Sequence, residues 1–134
     1  MKLSAKARYG MYAMVELAKQ REKYVSASEL ALKTGVTEKY LEQILSILKK
    51  NNLVVSTRGA MGGYSLSKCA TDITAGQILR ALEDNLELVE CIHKGCSTNG
   101  GCNCVSRNLW TKLYAHINEY LDNVSLKQLA EDNL

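Results

Sequence analysis

Apolar residues recur every three or four positions along most of this chain, so the pattern predicts helices with one short interruption. Over residues 4–20, Ala7, Met11, Met14, Val15 and Ala18 form one stripe, which predicts a first helix despite Gly10. Ser26-Ala27-Ser28-Glu29 has the form of a capping box: the serine hydroxyl accepts from a backbone N–H and the glutamate reaches back to the cap. A short helix follows to Lys33. Thr34-Gly35-Val36 ends it, with Gly35 able to take positive φ. Thr37 caps a third helix that runs to about Lys50, and Glu38 suits its positive end. Leu41, Ile44, Leu45 and Leu48 face inward. Lys39, Glu42, Gln43, Ser46 and Lys50 face outward.

The second and third helices make a helix-turn-helix. Ala31 is small where the two must approach, Gly35 makes the turn, and Leu41 packs back into the pair. The period then changes from helical to alternating. Leu53-Val54-Val55-Ser56 and Gly63-Tyr64-Ser65-Leu66-Ser67 predict two short strands joined by Thr57-Arg58-Gly59-Ala60-Met61-Gly62. A hairpin directly after a helix-turn-helix is a wing, so the fold class is mostly α, a winged helix-turn-helix. Thr74-Ala75-Gly76-Gln77 opens another helix, to about Glu83. A long helix from about Val105 to Asp122 carries Leu109, Leu113, Ile117, Tyr120 and Val124, widened by Trp110, Tyr114 and Leu121. That stripe is too broad for a lone surface helix and is assigned to a partner helix in a homodimer. Ser125-Leu126-Lys127-Gln128 caps a last short helix. The expected division is a DNA-binding domain over 1–84, a cysteine-rich segment over 85–104, and a dimerisation and C-terminal helix over 105–134.

Charge sharpens this picture. Residues 1–68 hold twelve Lys and Arg against five Asp and Glu. Residues 69–134 hold five against nine, and the whole chain is +3. A basic N-terminal half suits a polyanion, because bound phosphates release counterions. The chain has no proline and no apolar run near the roughly 18 residues that span a bilayer, so a cytoplasmic protein without a membrane partner is expected.

Four of the five cysteines fall within residues 91–104, as Cys91, Cys96, Cys102 and Cys104 among glycines and small polar residues. Such a segment packs no core. In a cytosolic protein it points to a soft metal site, iron–sulfur ahead of zinc, since the C-x4-C-x5-C-x-C spacing has no paired C-x2-C knuckles. Cys69 stands apart and reads as a small buried apolar residue. His93 reads as a solvated side chain.

Lys6-Ala7-Arg8-Tyr9-Gly10, Tyr40-Leu41-Glu42-Gln43, Arg58-Gly59-Ala60-Met61-Gly62-Gly63-Tyr64 and Ile73-Thr74-Ala75-Gly76 resemble the IscR-type regulators, whose relatives include the nitric-oxide sensor NsrR and the cysteine-metabolism repressor CymR. The resemblance covers nearly the whole chain. It implies a homodimeric winged-helix regulator on a two-fold-related double-stranded DNA operator, not an enzyme. For cluster-bearing members it implies three cysteine ligands. Anchoring on Leu109-Trp110 makes these Cys91, Cys96 and Cys104; anchoring on the five-residue gap makes Cys102 the third. The expected cofactor is an iron–sulfur cluster, 2Fe–2S before 4Fe–4S. The family's histidine position holds Arg107, which cannot ligate. Cys102 is the first choice for the fourth ligand, then His93 or a residue of the other subunit.

Gln43 can bond adenine bidentately and Glu42 can accept from cytosine N4. Lys6, Arg8, Ser28 and Lys39 suit phosphates, Arg58 suits a minor groove, and Thr37 and Tyr40 complete the expected DNA-binding set. Two other readings stay open: a thiol-redox protein using Cys102-Asn103-Cys104, and a zinc-stabilised or cluster-free regulator of cysteine and sulfur metabolism.

Overall fold

The computed structural model describes residues 2–21, 23–89 and 105–134. Helix α1 (Ala5–Lys19) begins where Ser4 Oγ accepts from the Ala7 backbone N–H, and it buries Ala7, Ala13, Met14 and Leu17. Helix α2 (Ala27–Thr34) ends on Gly35, whose φ of 76° is the left-handed value expected of that turn. Helix α3 (Glu38–Lys50) turns Leu41, Ile44, Leu45 and Leu48 inward, all four fully buried.

Asn51 and Asn52 close α3 with a Schellman motif. Asn52 takes φ 58°, its N–H donates to the Lys49 carbonyl at 3.0 Å, and the Leu53 N–H donates to the Leu48 carbonyl at 3.0 Å. This moves the start of the hairpin. Leu53 is committed to the helix end, so β1 spans Val54–Thr57 rather than starting at residue 53. β2 spans Gly63–Leu66, antiparallel, with Val54 opposite Leu66 and Thr57 opposite Gly63.

A short 3-10 turn (Ala70–Asp72) leads to α4 (Ala75–Leu82), where the Thr74–Gln77 capping box is complete. Helix α5 (Val105–Asn123) and helix α6 (Leu126–Ala130, with a second complete box from Ser125 to Gln128) finish the chain. Residues around Thr74 and Ser125 pair as a small bridge. The Ala75 N–H donates to Val124 O at 2.9 Å, and the Leu126 N–H donates to Ile73 O at 2.8 Å. Leu126 and Ile73 are both fully buried, so the start of α6 joins the same core as α1, α3 and α4.

Two expectations fail locally. Glu29 does not reach back to its cap: Ser26 Oγ accepts from the Glu29 N–H at 3.2 Å, but the carboxylate lies 3.6 Å from Lys33, one turn along the helix. The i,i+4 cation competes successfully with the backbone N–H. Gly10 is more than a tolerated weak point. A Cβ there would overlap the Leu82 side chain and crowd Ile44, so the glycine lets α1 and α4 meet.

The chain's start is fastened electrostatically. The Ser4 backbone N–H donates to Glu83 Oε1 at 2.6 Å. This bond, then the Ser4 hydroxyl and Lys6, holds the Glu83 carboxyl below its usual range, against an opposing effect of burial. A depressed folded-state pKa gives stability that is present above the unfolded value and lost as pH falls through the folded one. Thermal melts across pH 3–7 are therefore expected to show the native chain above Glu83→Gln at neutral pH, with the gap closing in acid. A gap independent of pH would overturn the assignment.

Candidate nucleic-acid interface

The exposed face of α3 starts at a helix N-terminus. Thr37 Oγ1 accepts from the Tyr40 N–H at 3.2 Å, and Lys39, Glu42, Gln43 and Ser46 are all exposed on the turns that follow. This face is polar because the four large apolar side chains of the same helix are spent on the core. Tyr40 is half-buried. Its ring meets Tyr9 of α1 edge-on, at 6.3 Å and 84°, and the Arg8 guanidinium lies 6.0 Å from the Tyr9 ring centre. The two tyrosines thus fix the head of α3 against α1 and keep Arg8 beside it. Ser28 is exposed at the start of α2, with its hydroxyl 3.2 Å from that of Ser26. Lys6 is half-buried and shares the surroundings of Glu83.

Arg58 is exposed just past the end of β1. The tip beyond it has little freedom. Gly59 sits at φ 108°, and the Gly62 N–H donates back to Gly59 O at 3.0 Å. A Cβ on Gly62 would strike the Thr57 carbonyl, and one on Gly63 (φ 147°) would strike the Val25 carbonyl. Gly63 must be bare because β2 runs hard against the α1–α2 connection. There Val25 and Tyr64 exchange two backbone hydrogen bonds of 2.8 Å each. On the other side Lys49 Nζ donates to Ser56 Oγ at 2.6 Å, tying the end of α3 to β1. Burial first, and then the negative charge of Glu42, raises the Tyr64 hydroxyl above its usual pKa. Glu42 and the wing strand are thus electrostatic neighbours.

The structure therefore brings Lys39, Glu42, Gln43 and Arg58 onto elements fastened to one another, with Arg8 and Tyr40 beside them. The fasteners Tyr9, Val25, Lys49 and Tyr64 escaped the sequence reading. Only the Gly63-Tyr64 doublet hinted at them, because a bare glycine within a strand marks a close backbone approach.

Cys69 corrects an expectation. It is exposed, not buried, because it precedes a surface 3-10 turn, and Thr71 Oγ1 donates to its sulfur at 3.1 Å. Cys91, His93, Cys96, Cys102 and Cys104 lie outside the described residues. No group of three or more metal-ligating side chains occurs among the described residues, and no described helix is long and apolar enough to cross a membrane.

The stripe on α5 divides. Tyr114 and Leu121 pack against the core, and Arg80 of α4 grips α5 through Asp122 (2.7 and 3.0 Å) and Asn118 (2.9 Å). Leu109, Leu113 and Tyr120 are 57%, 41% and 61% exposed.

Comparison with known proteins agrees with this layout. A family model described as "Rrf2: Iron-dependent Transcriptional regulator" matches residues 3–132. The HTH-type transcriptional regulator IscR of Vibrio vulnificus is 36% identical over 134 residues, covering 99% of this chain and 79% of that protein. Among solved structures, the IscR of T. potens has a TM-score of 0.79 at 36% identity, covering 100% of this chain and 89% of that one. CymR (YrzC), the global cysteine regulator of B. subtilis, has 0.84 at 38% identity over 98% of both chains.

Proposed function

The chain belongs to the Rrf2 family of transcriptional regulators, and from that premise we propose that it is a cytoplasmic homodimer that reads a two-fold operator with α3 and the wing and adjusts its grip through the cysteine segment. The carrying observation is the fastening of Gln43, Glu42 and Arg58 to one body through the Val25–Tyr64 bonds and the Lys49–Ser56 contact. A helix face and a wing held at a set separation can enter a major groove and the adjoining minor groove together without ordering loops on binding. In this reading Gln43 bonds an adenine edge and Glu42 accepts from cytosine. Lys39, Ser28, Lys6 and Arg8 hold phosphates, Thr37 and Tyr40 set the helix head, and Arg58 enters the minor groove. The uncovered side of α5, Leu109, Leu113 and Tyr120, meets its copy, so that half-sites lie about one helical turn apart.

Cys91, Cys96 and Cys104, with Cys102 as fourth ligand, are soft thiolate donors that suit an iron–sulfur cluster, 2Fe–2S in preference to 4Fe–4S. Bound there, such a group supplies sensitivity to iron supply, oxidation or nitric oxide. The cysteines directly precede α5 in sequence, so holding them together constrains the head of that helix. Arg80 and Asp122 link α5 to the DNA-reading body, so a shift of its head alters how the two reading faces are presented. The effect on DNA is limited to the difference in affinity between the two arrangements.

The likeness to CymR supports a second reading, a cluster-free regulator of cysteine or sulfur metabolism. Purification without oxygen separates them. Iron, labile sulfide and visible absorbance are expected, together with an operator affinity that changes when iron is removed. A colourless protein that binds its operator equally with and without iron would leave the cluster-free reading in place.

A further inference from the structure

One side chain of the wing takes no part in the contacts assigned so far. Met61 is 91% exposed, the most exposed large apolar side chain among the described residues. With Ala60 it forms the centre of the turn that the Gly62 N–H closes on Gly59 O at 3.0 Å, so the two stand at the far end of the hairpin. Three features of its surroundings select a ligand. The tip is slim: Gly59, Ala60 and Gly62 carry nothing larger than a methyl, so Met61 alone projects from it. That shape suits the minor groove of DNA, which is only about 6 Å wide. The tip is also anchored. Gly59 sits at φ 108°, and Gly62 and Gly63 lie too close to neighbouring backbone to bear a Cβ, so the body of the protein sets how far Met61 reaches. Finally, the sequence from Gln43 to Thr71 contains no Asp or Glu, while Lys49, Lys50, Arg58 and Lys68 fall within it. A polyanion meets no carboxylate on the wing.

Given the DNA-reading role proposed for α3 and the wing, on which this rests, we infer that Met61 enters the minor groove as an apolar wedge. It partly unstacks one base step in each half-site, so that the chain prefers a flexible pyrimidine–purine step there. Apolar side chains inserted from the minor groove unstack base steps and kink the duplex. An unbranched thioether adapts to the irregular gap between two bases. The cost of opening that gap depends on the step. It is low at TA and CA steps and high in stiff A-tracts, which gives sequence preference where no base edge is hydrogen-bonded. Arg58 and Met61 thus divide the work of the wing. The guanidinium answers the negative potential of the groove, and the thioether reads how readily the duplex deforms.

The test uses the full chain and duplexes that it selects from a random-sequence library, rebuilt with 2-aminopurine at each position in turn, because that base fluoresces more when unstacked. The native chain is expected to raise the signal at one step per half-site. Met61→Gln should abolish the rise, and Met61→Leu should keep it; a side chain so exposed can be changed without loss of the fold. Replacing that step by AA should weaken the native chain about tenfold and Met61→Gln far less. Met61→Gln should leave the salt slope unchanged, unlike Arg58→Ala, because an apolar contact releases no counterion. An equal rise with Met61→Gln, or no rise at any position, would overturn the wedge while the affinity losses of Gln43→Ala and Arg58→Ala still stood. If those two variants kept native affinity, the DNA-reading role would fall and the wedge with it.

Discussion

Leu113→Asp is expected to yield a folded monomer whose grip on a two-half-site operator falls by about 10²- to 10⁴-fold, the usual worth of tethering two binding events. Leu113 is 41% exposed and lies between Leu109 and Ile117 on the uncovered side of α5. In a two-fold interface each residue is used twice, so one substitution places two carboxylates in an apolar seam. Each lost leucine forfeits about 1.5–3 kcal/mol of burial, and each buried charge adds its desolvation cost. The fold should survive, because the opposite edge of α5 is held by Tyr114, Leu121 and the Arg80–Asp122 pair. Sedimentation gives the oligomeric state, and anisotropy on duplexes with one or two half-sites gives the affinity. A variant that stays dimeric with native affinity would remove α5 from the interface.

Gln43→Ala and Arg58→Ala are expected to weaken operator binding with no measurable change in melting temperature. Both side chains are exposed and neither is needed by the core. Gln43→Ala should cost about 1–3 kcal/mol per half-site and relax base preference at a single position, since a bidentate contact discriminates by that much. Arg58→Ala should weaken all duplexes more evenly and lower the salt slope by about one per subunit, since that side chain answers backbone charge and groove width. Titrations at several salt concentrations separate the two signatures. If the double variant bound every tested duplex as the native chain does, α3 and the wing would not be the reading surface.

Much of this architecture was legible beforehand because its signals are local. Ser26, Thr37, Thr74 and Ser125 each announce a helix start. Gly35 announces a left-handed turn, and Leu41, Ile44, Leu45 and Leu48 announce a buried face. Each is a statement about a few neighbouring residues, and the structure realises each of them. The failures have local causes too. Glu29 had two partners within one turn and took Lys33. Leu53 lay between a helix end and a strand, and the Schellman bond claimed it. Residue type alone makes Cys69 a small buried apolar residue, but the turn it precedes lies at the surface.

The proposed reading surface divides along the same line. That α3 would present Lys39, Glu42 and Gln43 outward follows from helical period alone, since four leucine-type side chains on one face leave those positions to solvent. That a helix-turn-helix and a hairpin would follow one another was likewise dictated by the order of caps, glycines and alternating residues. The angle and distance between them were not, because they depend on contacts between residues far apart in the chain. Tyr64 against Val25, Tyr9 against Tyr40, Leu82 over Gly10 and Arg80 on Asp122 each join distant segments, and apart from the bare Gly63 beside Tyr64 nothing local signals which segment each one meets. Periodicity chooses which face of an element is apolar. Only packing in three dimensions chooses which apolar face it meets, and so where the polar faces point together.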